Sequence, residues 1–294
     1  MFDISIIVVT YNSQWDKLKK TIESIICQKD ITFEVVFADD GSEIKWNEKI
    51  KESLPENIKY IFADMNENSG TVSNINNALQ YTEGRYIKVI SPGDYFNGSL
   101  AVRKWVDFMD STKADVSFCN AIYYKNVDGL VSVLKNKQSP HNTYIYNKKD
   151  NRKKLFVDYL LANDTILGAS VLMDRNVIVS YITEINKYVK YAEDYMIRLM
   201  IFDNRRIMHL DEELLWYEYG EGVSNGKNQR WASILKDDFD ATNYLIEKRQ
   251  NLTEKMQKKY IKYLRLDDKK SIEKKFKKVI MFPSTIWFRG RMKL

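Results

Sequence analysis

The sequence predicts an α/β fold: a mixed, mainly parallel sheet flanked by helices, with a helical extension at the C-terminus. Apolar, β-branched runs such as ISIIVV and FEVVFA have the near-continuous hydrophobicity of strands buried on both faces of a parallel sheet. Segments with helical periodicity stand between them, and strand–helix alternation favours parallel pairing through helical crossovers. With 294 residues, 44% hydrophobic and 29% charged, the chain can bury one large core and carry an appendage.

ISIIVV is the first strand, and the next helix places Trp15, Leu18, Ile22, Ile25 and Ile26 on one face. FEVVFA and IKYIFA are the second and third strands. Val72, Ile75, Ala78 and Leu79 mark another helix before the strand YIKVI. Ligands of such sheets lie beyond the carboxyl ends of the strands, where strand order reverses, so polar residues there are informative. After Asp94 the order becomes mixed. A helix is expected around 99–110, then a strand at VSFCNAIYY and an Asn-Val-Asp-Gly turn leading to LVSVL as a hairpin. A helix near 151–162, a strand at ASVLMDR, a helix opened by Glu193-Asp194 and a strand-like RRIMHLDEELLWYEY complete the body. Helical patterns at about 229–248 and 252–265 precede a basic tail.

Charge is unevenly distributed. From Lys269 onward nine Lys/Arg face one acid, Glu273, so the tail carries +8 and the overall +6 leaves −2 for the body. Tracking a nucleic-acid backbone needs positive charge along the whole path, which excludes an extended groove through this body. The tail interleaves its cations with Phe276, Ile280, Phe282, Ile286, Trp287 and Phe288, a mixture suited to an anionic bilayer surface. No apolar run reaches the roughly 18 residues needed to span a bilayer. Two distant cysteines, Cys27 and Cys119, and a start without a basic n-region predict a cytoplasmic location with reduced thiols, peripheral on the inner face of the cell membrane. His141 and His209 lack ligand spacing, so no zinc site is expected.

Three strand ends deliver polar groups to one rim: Thr10, Tyr11 and Asn12; Asp39, Asp40, Gly41 and Ser42; and Ser91, Pro92, Gly93 and Asp94. An aromatic ring such as Tyr11 can stack on a base. Asp40 can accept from an imide or ribose hydroxyl, and Asp94 can hold Mn2+ or Mg2+ beside a diphosphate, since such ions commonly take one or two carboxylates plus phosphate oxygens. Neither G-x-G-x-x-G nor G-x-x-x-x-G-K-[ST] occurs, so the metal takes the neutralising role of a phosphate loop. In isolation Asp39-Asp40-Gly-Ser and Ser-Pro-Gly-Asp are also plain turn sequences, Asp94 could cap the next helix, and Glu193-Asp194 suit a helix N-terminus.

Taken in order, ISIIVVTYN, FADDGS, NSGTVSNINNALQYTEGRYIKVISPGD, EDYMIRL and WYEYGEGVSN resemble family 2 glycosyltransferases of the GT-A, Rossmann-like fold over roughly residues 3–225. The resemblance implies a glycosyltransferase domain at 1–225, with a nucleotide-binding half at 1–97 and an acceptor half at 98–225. A helical extension at 226–267 and a basic amphipathic tail at 268–294 follow. It further implies that Val9 and Tyr11 border the nucleobase, that Asp40 contacts it with Asp39 supporting the turn, and that Asp94 is the metal-binding aspartate, with Thr10 and Gly93 also on the donor side. Asp194 would be the catalytic base, Glu193 would orient acceptor or base, and Ser224, after Gly222, would approach the diphosphate. Two positions depart from the pattern. Ser-Pro-Gly-Asp keeps only Asp94 of the usual aspartates, and Ile75 stands where many relatives carry arginine, so that a phosphate or base contact is either made otherwise, by Asn74 or Asn76, or absent.

The implied activity is inverting transfer of a sugar from a nucleotide-diphosphate donor, UDP-linked by preference, to a hydroxyl of a saccharide or lipid-linked acceptor in bacterial surface polysaccharide synthesis. Such transfer needs in-line attack, a base for the acceptor proton and stabilisation of the leaving diphosphate. Other readings are a non-catalytic nucleotide-sugar-binding or scaffold protein at the membrane surface, and a nucleotidyltransferase. The latter needs Lys or Arg closely grouped around a triphosphate, and no such cluster is read directly after the first strand.

Overall fold

In a computed structural model that describes residues 2–127, 129–220, 229–250, 252, 254–266 and 271–283, strand β1 (Ile4–Thr10) lies between β2 (Phe33–Asp39) and β4 (Tyr86–Ile90), parallel to both. β3 (Lys59–Phe62) continues the parallel set beyond β2. The crossovers carry α1 (Trp15–Ile26), α2 (Asn47–Ser53) and α3 (Thr71–Leu79). β1 is apolar at Ile4 and from Ile6 to Val9 because both its faces are covered, and its buried Ser5 donates to Glu34 Oε1. Ile4, Ile6 and Val8 join one core with Trp105, whereas Ile7 joins the other with Ile75 and Ile87. Each such burial contributes about 1.5–3 kcal/mol. The expected helix faces hold: α1 buries Leu18, Ile22 and Ile25, and α3 buries Val72, Ile75, Ala78 and Leu79.

Past β4 come β5 (Tyr95–Phe96), α4 (Ala101–Thr112), β6 (Val116–Val127), β7 (Leu130–Val133) and α5 (Arg152–Phe156), which runs into a π-helical turn. β8 (Val171–Asp174), α6 (Arg175–Ile185), α7 (Met196–Phe202) and β9 (Ile207–Glu218) follow. The sheet order is β3-β2-β1-β4-β8-β6-β9-β5, with β7 hairpinned onto β6 as expected. β8 is antiparallel to both β4 and β6, while β6 and β9 are parallel, so the sheet is mixed and mainly parallel. Strand order reverses at β1 and β4, and the polar strand ends sit at that switch.

Three C-terminal helices complete the described chain: α8 (Gln229–Glu247), α9 (Lys255–Leu264) and α10 (Ser271–Met281). Leu245, Ile246, Tyr260, Ile261 and Phe282 bury into the same core as α7. Arg198 of α7 reinforces that seam by donating to Thr242 Oγ1 and Asn243 Oδ1. Among the described residues no helix is long and apolar enough to cross a membrane.

No sequence expectation covered α6, whose many β-branched residues favour a strand. A cap decides otherwise, because the Asp174 carboxylate accepts from Asn176 N and Val177 N, and five apolar residues then face the core. Glu193 and Asp194 do not open an α-helix as expected. They form a short 3-10 turn ending at Tyr195, and α7 begins at Met196. The backbone just before them is held by another carboxylate, described below.

Candidate active site

The ends of β1 and β2 are clasped by short side chains. Thr10 Oγ1 donates to Asp39 Oδ1 at 2.9 Å, and Ser42 donates to Asp39 through both N (2.8 Å) and Oγ (2.5 Å). Asn12, at a φ of 47°, donates its N–H to Ser42 Oγ and accepts from Glu43 N. Asp39 is therefore a support for the turn. Tyr11, beside the clasp, is half exposed, while Val9 packs against the core. Asp40 accepts from Ser69 N at 2.8 Å and Gly70 N at 2.9 Å, fixing the approach to α3. Burial raises its pKa, opposed by those two N–H donors. Each of its oxygens retains a further lone pair for a ligand.

The turn carrying Asp94 is fixed from three elements. Gly93, at a φ of +101°, donates N–H to Thr21 Oγ1 of α1, and that hydroxyl donates to Asp94 O at 2.7 Å. Tyr124 of β6 donates its hydroxyl to Gly93 O, and Glu218 N of β9 donates to Asp94 Oδ1 at 3.0 Å. Asp94 caps no helix, since α4 starts at Ala101. Burial pushes its carboxyl up to about 7, against the Glu218 N–H and the charges of Lys88 and Lys17. The Glu218 carboxylate fills the space above Gly93: a Cβ there would lie 2.2 Å from Glu218 Oε2, the oxygen that Lys17 Nζ approaches to 2.9 Å.

Glu193 and Asp194 reach this neighbourhood by a different route. Val72 N donates to Lys190 O, and Gly70 meets that carbonyl so closely that a Cβ would come within 2.5 Å of it. The loop thus starts beside the residue that holds Asp40. One buried carboxylate, Asp238 of α8, accepts from Lys190 N, Tyr191 N and Ala192 N, each at 2.9 Å. Edge contacts of Tyr191 with Trp231 and of Tyr195 with Phe239 brace both sides. Asp194 abuts Gly168, where a Cβ would sit 2.9 Å from Asp194 Cβ. Both acids line a hollow with Ile75, Val89, Gly168 and Met196. Burial raises the pKa of each, and the charge of Asp194 raises that of Glu193 further. Such shifts move a carboxylate toward the range where it accepts a proton efficiently near neutrality.

Lys88 is a residue the sequence reading missed. It lies fully buried in β4, donates to Val89 O and Ala169 O at 2.6 Å each, and is lowered to about 8 by burial, with Asp94 and Glu193 both pulling it back up. One ammonium thus lies within electrostatic reach of both acidic centres and anchors the turn next to Gly168. The available signal was a lysine inside an otherwise apolar strand, YIKVI. Asp238 and Glu218 were also missed, and neither carries a local pattern.

Not every expected residue converges. Asn76 Oδ1 meets Thr183 Oγ1 of α6, and Asn74 Nδ2 donates to Ala38 O beneath the sheet end. Ser224 lies outside the described residues. His209 bonds to Asn120 and His141 to Asp164.

A sequence profile described as Glycosyl transferase family 2 matches residues 5–168. An uncharacterized glycosyltransferase of Methanocaldococcus jannaschii is 25% identical over 174 residues, 58% of this chain and 57% of that relative, so the likeness spans little more than half the relative's length. Among solved structures, S. aureus TarS residues 1–349 in complex with UDP aligns with a TM-score of 0.60 at 17% identity, covering 92% of this chain and 77% of that one. The mannosyltransferase PcManGT from Pyrobaculum calidifontis, in complex with GDP-Man and Mn2+, aligns with a TM-score of 0.58 at 12% identity, covering 99% and 80%. At these identities the structural likenesses are likenesses of fold.

Proposed function

Because the chain belongs to glycosyl transferase family 2, with the GT-A architecture the sequence predicted, we propose that it is an inverting transferase. It takes a sugar from a nucleotide-diphosphate donor, UDP-linked by preference, to a hydroxyl of a saccharide or lipid-linked acceptor. One observation carries the reading. The loop that presents Glu193 and Asp194 passes through Lys190, whose carbonyl lies against Gly70, the residue whose N–H holds Asp40, so the acid pair stands beside the expected nucleotide rim.

Tyr11 and Val9 border the base, with Asp40 accepting from it, and Asp94 faces the diphosphate with Gly93. Asp194 is the base that takes the acceptor proton, with Glu193 orienting the acceptor hydroxyl or Asp194 itself. Asp94 fits a divalent cation in chemistry and place, because burial leaves its carboxyl costly to ionise unless positive charge arrives. A Mn2+ or Mg2+ ion held there supplies charge to the leaving diphosphate.

Synthesis of a bacterial surface polysaccharide is the setting we infer, with the chain lying on the cell membrane's inner face. That rests on α10, where Phe276 and Ile280 are exposed (67% and 64%) among lysines, whereas Phe282, expected to face the bilayer with them, is buried in the core and Ile286, Trp287 and Phe288 lie outside the described residues. Phe276→Glu with Ile280→Glu should lower cosedimentation with vesicles of anionic lipid, and undiminished binding would refute the attachment. The test of the activity is a panel of nucleotide sugars assayed with Mn2+ for release of the nucleoside diphosphate. At least one UDP-sugar should turn over and raise the melting temperature. A chain that binds a donor but never cleaves it would instead be a sugar-nucleotide-binding protein.

A further inference from the structure

Building on the transferase reading, we propose that Glu218 is a second carboxylate of the divalent-cation site, brought in by β9 to stand where residue 93 has no side chain. The argument begins with Gly93. Its missing Cβ would lie 2.2 Å from Glu218 Oε2, so the carboxylate of one residue occupies the volume that a side chain at the other would need. The same two turns are locked in register, because Glu218 N donates to Asp94 Oδ1 and Tyr219 N donates to Tyr124 O. Tyr124 in turn donates to Gly93 O. Asp94 and Glu218 are thereby neighbours by construction.

The Glu218 side chain is 5% exposed, yet its Oε1 finds no hydrogen-bond partner among the described residues. A buried carboxylate oxygen left without a donor is costly, and its retention points to a partner of positive charge. Lys17 Nζ lies 2.9 Å from the other oxygen, Oε2. Two carboxylates, with waters and diphosphate oxygens completing the shell, are a sufficient protein contribution for an ion of this kind. Lys17 serves as the counter-ion of Glu218 until the cation arrives.

The experiment titrates Mn2+ alone, and Mn2+ with UDP, into the full chain, reading free Mn2+ by electron paramagnetic resonance. Wild type, Glu218→Gln and Lys17→Met are compared, with melting curves in EDTA as a control for folding. Wild type should bind one Mn2+, more tightly with UDP present. Glu218→Gln should weaken binding at least tenfold, and Lys17→Met, which breaks the same ion pair but keeps both carboxylates, should retain it. Unchanged binding in Glu218→Gln would overturn the proposal. So would equal loss in both variants, since the pair would then be purely structural. Transfer that persists undiminished in EDTA would overturn this inference while leaving the transferase reading intact. Mn2+ binding lost in Glu218→Gln, with no donor ever turned over, would overturn the reading and leave the cation site.

Discussion

The clasp around Asp39 and the turn around Glu193 hold comparable acidic groups by opposite means. At Asp39 the partners are Thr10 and Ser42, neighbours across adjacent parallel strands and within one tight turn. At Glu193 the support is Asp238, which sits on a helix beyond the end of the sheet and takes three successive backbone N–H groups. The first arrangement follows from strand order, whereas the second exists only once α8 has docked on α7 through Arg198 and the shared core. The Asp39 clasp can therefore persist while the Glu193 turn is lost, but not easily the reverse.

That asymmetry can be broken from its strong side first. Asp238→Ala leaves three N–H groups without their acceptor, so urea unfolding should show a loss of about 4 kcal/mol. Sugar transfer should fall further than UDP binding, as read by calorimetry. Equal loss of both would show that the two regions are not separable.

Next in size is the pH response of Asp94. Its folded pKa of about 7 lies above the ordinary 3.8, so without metal the folded chain holds a proton that the unfolded chain releases. Stability from this group is present at low pH and lost as pH rises from about 4 to about 7. Asp94→Asn, which cannot ionise, should flatten that slope and be more stable than wild type at pH 8 by on the order of 2 kcal/mol in EDTA. A parallel pair of stability–pH curves would contradict the burial of this carboxyl.

Smaller still, Thr10→Val removes one hydrogen bond from the Asp39 clasp and should cost about 1 kcal/mol by chemical denaturation, with a modest rise in the UDP dissociation constant. Leu130→Ser on the hairpin, where Leu130 is 78% exposed, should change stability by less than about 0.5 kcal/mol. A larger effect would mean that the hairpin is covered.

The same contrast explains what could be read from sequence. β1 to β4 and their helix faces were legible because apolar strands buried on two sides and an amphipathic stripe are local patterns. α6 was not, because Val177, Ile178, Val179 and Ile182 suit a strand and only the Asp174 cap and tertiary burial choose the helix. Asn76 sits one residue past the buried Ile75, and its Oδ1 meets Thr183 Oγ1 of α6, a contact that no sequence pattern signals. Lys88, Glu218 and Asp238 take their meaning from partners that folding alone brings close. No spacing in the chain announces them.

The most direct test of the account is donor cleavage by Asp194→Asn, measured as UDP release from a UDP-sugar that wild type turns over, beside UDP affinity for the same two chains. Removing a general base typically costs a factor of about 10²–10⁴, so kcat should fall by that much while UDP affinity stays within about twofold. Cleavage at the wild-type rate in Asp194→Asn would contradict the assignment of this acid pair as the chemical centre.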